Sequence, residues 1–178
     1  ASEWILPFPD DAIDRIADQV VSDSPIPVPA MELLQGRIEV VRVEWPHSVD
    51  ALMIWQHGTP AKVLIRQRPP SFARRVRMTA AHELGHLVIP WHVGYGPEAC
   101  SSDTDGGRSV DYVSAQEAEA RTFAGKLLLP HSQLLAAANG RSLGAFFEDL
   151  DRFEASPWAT VLRMTQVLRP GFMFIGPV

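Results

Sequence analysis

Residues 82–86 read His-Glu-Leu-Gly-His, and this H-E-x-x-H pattern constrains the chain more than any other stretch. The segment around it, Arg74 to Ile89, reads as a helix. Residues four apart on a helix lie on one face, about one turn from each other. His82 and His86 can therefore aim imidazole nitrogens at a single ion. Zinc is the expected ion, because it favours nitrogen ligands in a roughly tetrahedral shell. Glu83 lies about 100° further round the helix, beside the ion, where it can act as a general base toward a water. The plain alternative is an amphipathic helix with two surface histidines. A third ligand in the right place separates the two.

The length of 178 residues suits one domain with a sizeable core, taken here as 1–178. A content of 46% hydrophobic and 21% charged residues is that of an ordinary globular protein. The net charge of −5 gives no overall reason to expect nucleic acid or an anionic membrane as partner. The single cysteine, Cys100, cannot form an internal disulfide, which fits a reducing compartment. The first residues lack the basic and apolar regions of a signal peptide. No run approaches the ~18 apolar residues of a membrane span. These features predict a soluble cytoplasmic protein.

Residues 9–21 predict a first helix, opened by Pro9, Asp10 and Asp11 and striped by Ile13, Ile16, Ala17 and Val20. A proline-rich link at 22–29 breaks it, so 1–28 forms an N-terminal helix and link. A short helix over 29–35 ends at Gly36. Residues 37–45, 50–56 and 61–66 alternate and carry β-branched side chains, which predicts three strands. His57 to Pro60 reads as the turn between the last two. Strands in series with short links predict an antiparallel sheet. Arg66, Arg68, Arg74, Arg75 and Arg77 precede or open the motif helix. They read as a solvated face, with an anion-binding surface as the alternative. Residues 93–111 are rich in Gly, Ser and Asp and predict a long loop. Residues 114–129 are strongly helical, with Ser114 and Glu117 at capping-box spacing. Helices are expected at 131–139, 142–153 and 157–168, the last with Ser156 as N-cap and Pro157 at its first position. These make 131–170 a helical C-terminal subdomain. Phe172 to Ile175 reads as a closing strand.

A catalytic zinc site usually takes three protein ligands and leaves one position open. His92 lies six residues after His86, a known spacing for a third histidine. That arrangement uses a glycine to reverse the chain, and Ile89 stands in its place. His92 then reads as a half-exposed loop residue. On the 114–129 helix the apolar stripe is Ala120, Phe123, Ala124, Leu127 and Leu128. Glu117 falls about 50° from its centre and Glu119 about 110° away. A carboxylate facing the core is costly unless paired or bound to metal. Glu117 is therefore the better ligand, and Glu119 the better outer partner or solvent residue. The competing role for Glu117 is the helix cap. Asp103, Asp105, Asp111 and Cys100 are weaker loop candidates. His47, His57 and His131 read as solvated.

Two pieces, MTAAHELGHLV (78–88) and EAEARTFAGKLLLP (117–130), resemble the ImmA/IrrE family of metallopeptidases. That family pairs H-E-x-x-H with a downstream helix of the type E-x-E-A-x-x-F-A-x-x-L-L-x-P. The similarity extends over most of 29–170. It implies an α+β, zincin-like fold, with a small sheet packed on the metal-binding helix. It implies His82, His86 and Glu117 as zinc ligands and Glu83 as the base. It also implies a regulatory protease that cuts a helix-turn-helix repressor. Arg121 stands where asparagine is frequent, one turn from Glu117, and can pair with Glu117 or Glu119. Tyr95, Tyr112 and His92 are candidates to contact the substrate oxyanion.

The chemistry expected is zinc-assisted peptide hydrolysis, with Glu83 accepting a proton from water and passing it to the leaving amine. A rival from another class is a metal-stabilised module that sequesters a repressor without cutting it. An intact Glu83 weighs against that rival, since a pure binder has no use for a general base. A third reading, DNA binding by 142–168, finds only Arg152 and Arg163 in that segment to meet phosphates.

Overall fold

The computed structural model describes residues 11–21, 24–45, 49–54, 60–92 and 110–169, with the backbone alone for 110–113. The Asp11 carboxylate accepts the Asp14 N–H at 2.8 Å and so caps the first helix, α1, Ala12–Val21. Ala17 and Val21 are buried, with Ile13, Ile16 and Val20 half-buried against the same core, as the apolar stripe predicts. Helix α2, Ala30–Gln35, follows the proline-rich link and ends where Gly36 donates to the Glu32 carbonyl.

Strands β1 (Glu39–Val43), β2 (Ala51–Ile54) and β3 (Lys62–Arg66) form a three-stranded sheet in the order β1-β3-β2. The predicted all-antiparallel sheet is corrected here. β2 runs antiparallel to β3, but β1 runs parallel to it, with Val40 opposite Val63. Burial supplies the reason. β3 carries two fully buried side chains, Val63 and Ile65, and takes the centre. The link after β1 is long enough to skip one strand width, about 10 Å. Among the described residues β2 is left as an edge strand.

Helix α3, Ala73–Val88, carries the motif. It packs along α4, α2 and the sheet. Helix α4 runs Val110–Leu128, starting four residues before the predicted cap. Ser114 is therefore an exposed residue inside the helix, not its N-cap, and Asp111 is helical rather than a loop acid. Val110 to Val113 simply continue the helix, because nothing in VDYV breaks one. Helices α5 (His131–Ala138), α6 (Leu143–Asp149) and α7 (Pro157–Val167) follow, with a 3₁₀ turn over Leu150–Phe153. The Ser156 hydroxyl accepts the Ala159 N–H, as its capping position predicts. One apolar cluster joins α1, α2, the sheet, α3, α4 and the C-terminal helices through Leu34, Ile65, Leu84, Phe123, Phe146 and Met164.

Buried charges fasten this core. Lys126 on α4 lies 2.5 Å from both Asp11 and Asp14 on the α1 side. Arg163 on α7 reaches Asp14 at 3.2 Å and donates to the Leu129 carbonyl. Asp14, Lys126 and Arg163 are all buried, so Arg163 does not present its charge to a phosphate. Arg152, the other cation of the DNA-binding reading, pairs with Asp149.

The arginine run is solvated in part, at Arg74 and Arg75, but its side chains are also held in ion pairs. Arg68 and Arg75 both grip Asp50 before β2, at 2.5 and 2.7 Å. Arg74 pairs with Asp151, and Arg77 with Glu154 and the Val28 carbonyl. These contacts tie the start of α3 to three separate segments. His131, expected in solvent, is buried at the start of α5. His47, the turn residues 57–59, Tyr95, Cys100, Asp103, Asp105 and the strand expected at 172–175 lie outside the described residues. Among the described residues, no helix is long and apolar enough to cross a membrane.

Candidate metal centre

Helix α3 crosses α4 closely, and one glycine permits it. A Cβ on Gly85 would stand 2.9 Å from Phe123 Cδ1 and 3.3 Å from Ala120 Cα. Those distances are below ordinary van der Waals contact, and Phe123 is fully buried, so the neighbours must shift to admit the Cβ. The contact brings the last two turns of α3 against the middle of α4. Ala120 sits at the crossing. Glu117 and Glu119, about 160° apart on α4, project on its two sides.

On the first side, His82 Nε2, His86 Nε2 and the Glu117 carboxylate converge. The two histidine nitrogens are 3.1 Å apart. Glu117 oxygens lie 3.3 Å from His82 Nε2 and 3.4 Å from His86 Nε2. A four-coordinate ion with bonds of about 2.0–2.1 Å holds its ligand atoms roughly 3.3 Å apart. The two histidine distances are met by different Glu117 oxygens, and one donor atom from each residue lies within 4.8 Å of the others, so these three residues could hold a metal ion. The His86 side chain is buried, and burial pushes its pKa down. The neutral ring is the form that ligates a metal.

Glu83 is also buried. Burial pushes its carboxyl up to about 7; the His82 imidazole pulls against this and Glu117 adds to it. A carboxyl in that range can both take and return a proton near neutrality. It opens, with His82 and Glu117, on a groove of about 580 Å³ that runs between α3 and the edge strand β2, past Leu52, Met53 and Met78. Arg121 stands at the mouth, mostly exposed, with Nη2 3.8 Å from Glu117 Oε2. Of the two partners expected for it, Glu117 is the one it faces, at the long end of an ion pair.

On the second side of Ala120 the sequence expectation for His92 fails. It is neither a half-exposed loop residue nor one of the converging ligands. The chain turns back after Pro90 without a glycine, held by the His92 N–H donating to the Ile89 carbonyl at 3.0 Å. His92 is buried behind His86, with the two Nδ1 atoms 3.1 Å apart. His92 Nε2 lies 2.9 Å from Glu119 Oε2. The Trp91 indole N–H donates to the same oxygen at 2.7 Å. Glu119 thus lies outside the converging donors and meets them through His92. Tyr112 lies on the first turns of α4, and its side chain is outside what the structure describes.

Sequence reasoning missed Gly85 and Trp91. Gly85 occupies a free position of H-E-x-x-H, and only the partner helix reveals its need for no side chain. Trp91 carried no periodic signal, since it follows the helix-ending Pro90. The chain matches no protein-family model and no curated protein, so the chemistry of this centre rests on its own residues.

Proposed function

We propose that this chain is a zinc-dependent endopeptidase of zincin-like build, with His82, His86 and Glu117 as zinc ligands and Glu83 as general base. One observation carries the reading: two imidazole nitrogens and a carboxylate converge beside the buried carboxyl of Glu83, and His82, Glu83 and Glu117 open onto a groove along β2. Two nitrogens and one carboxylate suit zinc, with a position left open. When bound, zinc supplies a Lewis acid and lowers the pKa of water.

The chain's own groups do the rest. Glu83 takes a proton from the water that attacks the peptide carbonyl carbon. It returns that proton to the amide nitrogen as the C–N bond breaks. Among the described residues no strand pairs with the outer edge of β2, and that edge suits an extended peptide, which can add as a further strand and pass the donors side-on. Leu52, Met53 and Met78 line the groove for apolar side chains of that peptide. The resemblance of the two motifs to ImmA/IrrE proteins supports a helix-turn-helix repressor as the protein cut.

The test is to express the chain and its Glu83→Gln variant in cells and compare new protein termini by mass spectrometry. Termini in a helix-turn-helix protein that appear with the native chain and vanish with Glu83→Gln, while zinc is retained, support hydrolysis. A partner held intact by both chains overturns it in favour of sequestration.

A further inference from the structure

We infer that His92 and Glu119 are positioning residues that fix the tautomer of His86 and hold its Nε2 ready for the metal. The inference rests on the metal-site reading above and assigns a role to two residues that do not ligate.

Three contacts in series carry it. His86 directs Nε2 at His82 and Glu117. A neutral imidazole bears one proton, so a ligating Nε2 requires that proton on Nδ1. His86 Nδ1 meets His92 Nδ1 at 3.1 Å. One of these two atoms donates and the other accepts. The far end of the chain decides which, because a carboxylate can only accept. Glu119 Oε2, 2.9 Å from His92 Nε2, draws the His92 proton to Nε2. His92 Nδ1 is then the bare acceptor, and His86 Nδ1–H donates to it. The opposite order would set the lone pair of His92 Nε2 against a carboxylate oxygen and place a proton on the nitrogen that must ligate.

The relay is held in place on all sides. Trp91 donates to Glu119 at 2.7 Å. The Gln116 amide donates to the Trp91 carbonyl at 3.3 Å. The His92 N–H closes the turn on Ile89. The His86 and His92 side chains are both fully buried, so no water competes for the contact between them. Glu119 is part-exposed, which leaves its charge solvated while its inner oxygen accepts. Partners of this kind fix a ligating ring and raise its basicity, and their loss typically weakens metal binding by about 10–100-fold.

The experiment has two readouts on the full chain. Zinc affinity is measured by competition with a chelator for the native chain, His92→Phe, His92→Asn, Glu119→Ala and the His92→Phe/Glu119→Ala pair. His92→Phe and Glu119→Ala are expected to lose about 10–100-fold. The pair should be no weaker than His92→Phe alone, because both act through one chain of bonds. His92→Asn, which sets an amide oxygen where Nδ1 stood, should recover part of the loss. Long-range ¹H–¹⁵N spectra of the metal-free native chain should show the His86 proton on Nδ1 and the His92 proton on Nε2. A folded Glu119→Ala chain with native zinc affinity, or a His86 proton on Nε2, overturns the relay. Failure of the native chain to bind zinc overturns the site itself, and the tautomers in the metal-free spectrum then judge the relay separately.

Discussion

Gly85 sets the tolerance of the whole centre at the scale of one atom. An added Cβ at 2.9 Å from Phe123 must push α3 away from α4, and both ends of the ligand triangle ride on those helices. Gly85→Ala is expected to destabilise the fold by about 1–3 kcal/mol, the usual cost of overpacking a tight core. It should also weaken metal binding, although no ligand is touched. Urea unfolding together with a zinc titration checks both; native affinity in Gly85→Ala would show that the crossing distance does not set the site. The residue scale is also where sequence was most legible. His82, Glu83 and His86 announce themselves through helical spacing, and the angular offset of Glu117 from its apolar stripe already turned it inward. His92 was not legible, because its placement depends on how the chain turns after Pro90 and on a carboxylate 27 residues later.

Elements were legible where a pattern is local. The motif helix, α1, α2 and the Ser156 cap follow from periodicity and capping chemistry within a few residues. The sheet order was not legible, because β1 and β2 are neighbours in sequence but not in space, and burial gives the centre to β3. The Asp14–Lys126–Arg163 network was invisible because its partners stand 112 and 149 residues from Asp14. Those charges sit in the core, so removing one strands another. Asp14→Ala leaves Arg163 buried without its carboxylate and should cost about 3–5 kcal/mol in chemical unfolding. Replacing Asp14, Lys126 and Arg163 together with apolar residues of similar size should recover much of that loss. If Asp14→Ala unfolds at the native urea midpoint, α1 and α7 are not fastened through this network.

Asp50 joins the sheet edge to α3, and its titration gives that junction a pH signature. Burial alone would raise its pKa, but hydrogen bonds from Arg68 and Arg75 outweigh burial and hold it below the usual carboxylate value. A depressed folded pKa means that the unfolded chain binds the proton more readily. The stability from Asp50 is therefore present above about pH 4 and is lost as pH falls through the folded pKa. Unfolding of the native chain between about pH 6 and pH 3 should show a steeper acid loss than that of Asp50→Asn. Parallel acid limbs in the two chains would show that the arginine pair does not stabilise the ionised carboxyl.

Across the whole molecule, the arginines that open α3 and the acids that receive them turn a local helix into the hub of the fold. Arg74 and Arg77 reach Asp151 and Glu154, 77 residues on, and Arg68 and Arg75 reach back to Asp50 before β2. The segment before β2 and the 3₁₀ turn over Leu150–Phe153 are thereby tied to the start of the motif helix, and the groove between that helix and β2 carries His82, Glu83 and Glu117 on its wall. The proposed hydrolysis requires His82, His86 and Glu117 to hold a metal. Elemental analysis of chain purified without chelator, beside Glu117→Ala prepared in the same way, tests it most directly. About one zinc per native chain and clearly less in Glu117→Ala, with both chains folded, is the expected result. A native chain that holds no metal even after zinc is added back, or a Glu117→Ala chain that holds as much as the native one, would contradict it.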